Sequence, residues 1–306
     1  MNALLTEYFS RIALGEPQQF KNLVIVPVFT RANGAPDYLT LTEALQQRLA
    51  AITEVSAGGQ VPNVKVTNTS ELYLLLVEGE ELIGARQNRT LNTSILLAGN
   101  SETIVPVSCT EAGRWSYNTK AFADAGYVSP YKLRKIKSNS VAAALQRSMG
   151  HKSDQQAVWG AVHDLCMSSH AHSPTSALHD VIAAKSRDLE EYLQSLKPVP
   201  NQNGLIVLVT GEVVGLDVLS SARSYQVLHP KFVRSYAMDA ALDEKPASTE
   251  KPCEKAQAFL EASKASTERV YPAVGCGEDH RFQGPSIAGA ALAWGDSVLH
   301  LNLYRS

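Results

Sequence analysis

The chain has 306 residues, 44% of them hydrophobic and 19% charged, with a net charge of −2 and a pI near 6.5. This balance excludes intrinsic disorder, and no stretch approaches the ~20 consecutive apolar residues of a membrane-spanning helix. A near-neutral chain attracts no polyanion globally, so neither a nucleic-acid nor a membrane partner is expected.

At this length a chain buries about three quarters of its unfolded surface, enough for a core without disulfides or metal. The simplest organisation is one domain over 1–306. It divides into a strand-rich part (1–137), a helical segment (138–200) and a second strand-rich part (201–306) with a loop and helix near 243–264. Cys109, Cys166, Cys253 and Cys276 form no CxxC pair or metal-type spacing. Free thiols and a cytoplasmic location are therefore expected.

In chain order, the N-terminus carries Leu4, Leu5, Tyr8, Phe9 and Ile12 at helical spacing, without the apolar block and small-residue cleavage site of a signal peptide. Residues 22–30 (NLVIVPVFT) read as a strand, with Pro27 placing it at an edge or bulge. Residues 38–52 (YLTLTEALQQRLAAI) read as a short helix with Thr42 as N-cap. From 64 to 109, short β-rich runs separated by Gly, Asn and Ser clusters predict a small antiparallel sheet or sandwich. Residues 141–149, 155–167 and 175–196 have helical periodicity. Strand patterns return at 205–218 and 287–303, and between them 243–255 reads as an exposed loop leading into a surface helix.

Three segments, LLLVEGEELIG, IVLVTGEVVGL and AALAWGDSVLH, share an apolar run, a Gly, an acid and a second apolar run. Each predicts a β-hairpin, because Gly supplies the positive φ of a tight turn. They are either convergent turns or copies of one β unit. The expected fold class is α+β, largely antiparallel sheet or sandwich, with a helical segment inserted between strand-rich regions.

The segment 78–92 (EGEELIGARQNRTLN) is the densest in polar groups. Period-two alternation sends Glu81 with Ile83 to one face and Glu80 with Leu82 and Gly84 to the other, so the two acids diverge. Arg86, Gln87, Asn88 and Arg89 follow with no apolar spacer, and four such side chains are costly to bury without partners. They make either a polar pocket wall, with the arginines forking a phosphate or carboxylate, or a solvated hairpin tip.

The run TIVPVSC then delivers Cys109, Glu111, Arg114 and Trp115 at a strand end, where binding groups commonly collect. Cys109 is a nucleophile only if a neighbour lowers its pKa, and is otherwise a buried apolar residue. Trp115 either stacks a planar ring or plugs the core. Glu80, Glu81 or Glu111 would serve as acid or base.

Elsewhere His163, Cys166, His170, His172 and His179 crowd one helical stretch, but SPT breaks it, and no metal site is expected. The basic run 131–137 (YKLRKIK) reads as a solvated face, and 275–282 (GCGEDHRF) as a turn covering a pocket or an exposed connection. GxGxxG, Walker A, GxSxG and HExxH motifs do not occur.

The motifs GEELIGARQNRTLNTSILL and VPVSCTEAGRW, with DQQAVWGAVHDL, SPTSALHD, GEVVGLDVL and VLHLNLY, give a resemblance running through the chain. The chain resembles the bacterial family named for its association with ADP-ribosylglycohydrolases and rhodanese-like phosphatases. The resemblance implies a link to NAD or ADP-ribose metabolism, with Glu80, Glu81, Arg86, Gln87, Asn88, Arg89, Cys109, Glu111, Arg114 and Trp115 in its motifs; it carries over no cofactor. The leading expectation is an enzyme acting on a phosphorylated ribose or nucleotide-like small molecule. The alternative is a non-catalytic ligand-binding or scaffold module, and a homo-oligomer stays open because isologous dimers are common.

Overall fold

The computed structural model describes residues 1–30, 34–56, 58–243 and 250–306. Its elements begin with α1 (Ala3–Ser10), β1 (Ala13–Leu14), β2 (Gln18–Phe20), β3 (Leu23–Phe29), β4 (Tyr38–Thr40), α2 (Leu41–Gln46), β5 (Ala50–Glu54) and β6 (Asn63–Asn68). Next come β7 (Tyr73–Leu76), β8 (Glu80–Gly84), β9 (Arg89–Leu91), β10 (Ile95–Leu97), β11 (Ser101–Cys109), β12 (Phe122–Val128), α3 (Tyr131–Gln146), α4 (Gln155–Ser169), α5 (Leu178–Ala184) and α6 (Ser186–Ser195). The chain ends with β13 (Gly204–Val209), β14 (Glu212–Leu219), α7 (Ala222–Ala240), α8 (Pro252–Lys264), β15 (Thr267–Pro272), β16 (Glu278–Gln283), β17 (Ile287–Trp294) and β18 (Ser297–Arg305). The fold is mixed α and β with mostly antiparallel sheets, as the strand patterns predicted.

Contacts group the chain into two compact units, one of Met1–Ala35, Asp188–Ala273 and Gly277–Ser306, the other of Pro36–Arg187 and Val274–Cys276. The expected boundary at 137/138 falls inside α3.

The first unit is built on a nine-stranded sheet in the order β1-β3-β13-β14-β18-β17-β16-β15, with β2 also on β3. On one face Val24, Val26, Ile206, Leu208, Leu216, Leu301 and Leu303 pack with Leu5 and Phe9 of α1 and with Phe259 and Leu260 of α8. The two later glycine turns are hairpins, β13–β14 and β17–β18, joined by β14 against β18.

Pro27 lies inside this sheet, a correction to the expected edge, since β3 has β13 on one side and β1 and β2 on the other; it sits beside the irregularity between Leu14↔Val28 and Gln18↔Ile25, where the register shifts by one residue. The Pro27 carbonyl accepts from Gly15 N at 2.8 Å. N and O of one residue face the same antiparallel neighbour. The missing donor therefore faces the break between β1 and β2, where no ladder bond is lost.

Residues 278–283, read as a loop, are β16, with Asp279, His280 and Arg281 buried and Arg281 paired to Asp279 at 2.6 Å. Of the loop 243–255, positions 244–249 lie outside the described residues.

The second unit holds a six-stranded sheet, β12-β8-β9-β11-β6-β5, and a three-stranded sheet, β10-β7-β4, in which β4 and β7 run parallel. Gly79 (φ 88) does turn the chain between β7 and β8, but those strands join different sheets, so the first of the three glycine turns is not a hairpin.

The helix expected over 38–52 is also corrected. Thr40 and Glu43 form a capping box, so the helix starts at Leu41 rather than after Thr42, and left-handed Arg48 (φ 58) ends it before β5. Thr42 instead bonds Asp124 Oδ2 at 2.7 Å.

Candidate functional site

All ten expected site residues lie in the second unit, on β8, β9, the end of β11 and their connections. Register sorts them. Glu81 faces Thr90, which faces Ser108; Leu82 faces Arg89, which faces Cys109. Directly opposed residues share a sheet face, and alternation adds Thr110 to the first set and Leu91 and Val107 to the second. The Glu81 face is polar, whereas the Arg89 face continues into the core of Leu82, Leu91, Val105 and Val107. The backbone of the sheet thus separates Glu81 from the arginine, and the expected single constellation is two.

On the first face Glu81 is wholly buried and accepts from Thr110 Oγ1, with Ser129 Oγ at 3.5 Å. Burial pushes its carboxyl up to about 8, against the hydrogen bonds of Thr110 and Ser129 and the charge of Lys137. Lys137 is the member that the sequence reading missed. The basic run 131–137 predicts a solvated face, yet Lys137 and Arg134 have no exposed surface. Lys137 Nζ donates to Thr90 Oγ1 at 2.9 Å and to Leu91 O at 2.5 Å. Burial pushes this amine down to about 7, opposed by Glu78 and Glu81. The signal was present in helical phase, because Arg134, Lys137, Ser138, Val141, Ala142 and Leu145 form one buried stripe of α3.

Glu80 turns away from Glu81, as the alternation predicted, and its Oε2 accepts from Val77 N at 2.8 Å while its own N bonds Val77 O. That reciprocal pair closes the Gly79 turn.

Glu111 is saturated. It takes Arg114 Nε at 2.8 Å and Nη2 at 2.7 Å, Asn88 N at 3.1 Å and Thr175 Oγ1 at 2.9 Å. Against the upward push of burial, these bonds from Arg114, Asn88 and Thr175 hold its carboxyl below the usual range. Arg114 spends its remaining donors on Ala85 O, Ser116 O, Gly84 O and Asn88 Oδ1. The pair organises the loop and leaves no fork for a phosphate.

On the second face Cys109 is buried, and burial pushes its thiol up to about 11 despite neighbouring Arg89. Its backbone exchanges two 2.8 Å bonds with the Gln155 amide. This geometry speaks against a thiolate nucleophile.

Arg89 has no exposed surface, and burial holds its guanidinium below its usual pKa. Nη1 reaches Gln87 Oε1 at 3.1 Å, but Nε and Nη2 have no hydrogen-bond partner among the described residues, nor does Glu54 Oε2. The Arg89 guanidinium carbon lies 5.7 Å from the Trp115 ring centre; that of Arg86 lies 5.8 Å from Trp115 and 4.3 Å from Tyr117. Trp115 is 44% exposed and Tyr117 49%, so Trp115 is not a core plug.

The histidine-rich stretch does not converge. His163 stands on α4, His170 is its left-handed cap and His179 lies on α5. No cluster of three or more metal-ligating side chains lies among the described residues, and no helix among them is long and apolar enough to cross a membrane.

No curated protein and no solved structure matches the chain. A family model matches residues 11–304, nearly the whole chain and a range that includes β8, β9 and the end of β11. The chain belongs to the family of the ARG and Rhodanese-Phosphatase-superfamily-associated Protein domain.

Proposed function

We propose that this chain binds a phosphorylated, nucleotide-like small molecule of ADP-ribose metabolism on the Arg89 face, between the two arginines and the aromatic pair Trp115 and Tyr117. The observation that carries this reading is Arg89, a wholly buried guanidinium with Nε and Nη2 unpaired. Unpaired buried donors on a cation are costly, and a phosphate oxygen is the acceptor such a fork suits best. Half-exposed Trp115 and Tyr117 supply faces for a planar ring, and Arg86 adds a second positive charge beside them. The family's name, with its ADP-ribosylglycohydrolase and rhodanese-phosphatase association, agrees with that ligand class.

Catalysis is the second reading, and Glu81 is the residue that favours it, as a carboxyl that holds a proton near neutral pH beside a depressed lysine. It faces away from the arginine face, however, so binding is the better supported of the two. The test is thermal unfolding with ADP-ribose, NAD, ribose 5-phosphate and inorganic phosphate. A ligand at a hundred times its Kd stabilises by about 2.7 kcal/mol. Arg89→Met and Trp115→Ala are expected to abolish the shift, and no shift with any of the four in the native chain would overturn the reading. Turnover of a bound ligand that stops in Glu81→Gln would establish the catalytic reading instead.

A further inference from the structure

A cavity of about 310 Å³ opens on the other face of the same sheet, the one that carries Glu81. Its floor is apolar. Ile83 of β8 faces Ala123 of the edge strand β12, and Ala121 and Ala123 alternate with core Phe122. Its far wall is the stretch leading into α5, tied to the end of β11 by backbone bonds from Gly113 N to Thr175 O at 2.8 Å and from Leu178 N to Thr110 O at 2.9 Å. The wall is therefore preformed, and it presents His179 and Asp180 across from Asn118 and Thr119.

The imidazole is held in place. Its Nδ1 lies 3.5 Å from the hydroxyl of Tyr127, and the two rings stack at 6.2 Å with an interplanar angle of 18°. Tyr127 is buried and so anchors the ring of His179, which lines the cavity. Asp180 Oδ2 accepts from Ser173 at 2.6 Å, which orients the carboxylate and leaves Oδ1.

Charge selects the occupant. Among the described residues that line it, the one guanidinium, Arg114, has spent its donors on Glu111, on Asn88 and on backbone carbonyls, and none is a lysine. Two carboxylates, Glu111 and Asp180, stand against that one neutralised cation, so an anion is disfavoured. Glu111 is saturated by its own partners, which leaves an ammonium no free carboxylate pair to bridge. What remains is a set of mixed donors and acceptors over a methyl floor, which matches the hydroxyl rim and C–H face of a sugar ring.

We infer that this cavity is a second binding site, distinct from the arginine face, for an uncharged polyhydroxylated molecule the size of a monosaccharide, with His179 and Asp180 on its hydroxyls. The inference does not depend on the nucleotide-like ligand of the arginine face.

The experiment is titration calorimetry of the full chain with D-ribose, D-glucose and myo-inositol, with ethanolamine and gluconate as cationic and anionic comparisons. It is carried out in Arg89→Met so that the arginine face does not contribute. Binding of at least one neutral polyol is expected, at least about tenfold tighter than either charged probe. His179→Ala should weaken it by about tenfold or more, and Ala123→Trp should block it. Ala123 is exposed on an edge strand, so this plug tests the cavity without burdening the core. Absence of polyol binding, preference for either charged probe, or binding undiminished in both variants would each overturn the inference.

Discussion

Lys137 and Glu81 are the two ends of one buried chain of hydrogen bonds. The amine donates to Thr90, Thr90 pairs with Ser129 at 2.9 Å, and Ser129 lies on the Glu81 carboxyl. Both groups are driven toward their neutral forms by the same cause, loss of water.

This sets a pH profile for stability. Glu81 binds its proton up to about 8 in the folded chain but only to its ordinary 4.5 when unfolded, so its contribution is full below 4.5 and is lost as pH rises through 8. Lys137 has the opposite sign: its contribution is full above 10.5 and is lost as pH falls through 7. Together they place a local minimum in stability near pH 7–8, with limbs on the order of a few kcal/mol. Urea unfolding from pH 5 to 10 should show the acid-side limb flattened in Glu81→Gln and the alkaline-side limb flattened in Lys137→Met.

Removing Glu111 should be costly for a different reason. Glu111→Ala strands two Arg114 donors, the Asn88 N–H and the Thr175 hydroxyl, and should cost about 3–5 kcal/mol in urea unfolding; Glu111→Gln, which keeps an acceptor, should cost about 1–3. Because the Glu111 carboxyl is held low, its contribution is full above the ordinary 4.5 and fades as pH falls below it. The Gln variant should lack that acid limb.

Cysteine reactivity should rank by exposure and thiolate character. Cys253 is exposed, whereas Cys109 is buried with its thiol near 11. Alkylation at pH 8 followed by peptide mass spectrometry should label Cys253 first and reach Cys109 only after unfolding. Rapid labelling of native Cys109 would revive the nucleophile.

Arg89→Met tests the stability side of the anion site. Replacing an unpaired buried cation with an apolar residue of similar length is expected to leave the ligand-free protein as stable or up to about 1–4 kcal/mol more so. A loss of several kcal/mol would mean that the guanidinium is already satisfied inside the protein.

Much of this was readable in the chain. NLVIVPVFT and the TG and WG turns became β3 and two hairpins because strand period and turn glycine agree with tertiary pairing there. The divergence of Glu80 from Glu81 followed from alternation alone. Leu45, Leu49 and Ile52 fit a helical face and so predict a helix over 38–52, but the stronger local signal is Thr40 with Glu43 three residues on, which starts the helix at Leu41. Polarity and helical phase disagree at Lys137: a cation on the buried stripe of a helix makes sense only once a carboxyl on a distant strand is brought near it. The split of the candidate site across the sheet needed the pairing of Arg89 with Cys109 and Thr90 with Ser108, which no sequence pattern states.

Pro27 bears on how the chain behaves before it is folded. β3 pairs with β13, so during synthesis the run LVIVPVF must wait for residues 204–209 to emerge, an apolar, β-prone segment with one ladder edge open. Stacking into fibrils requires a strand to bond neighbours on both edges at once. Pro27 lacks the donor on the edge away from β13, so the waiting strand can accept its proper partner on one side while offering a broken ladder on the other. The same proline that costs the native sheet no ladder bond makes the nascent segment a poor template for its own copies.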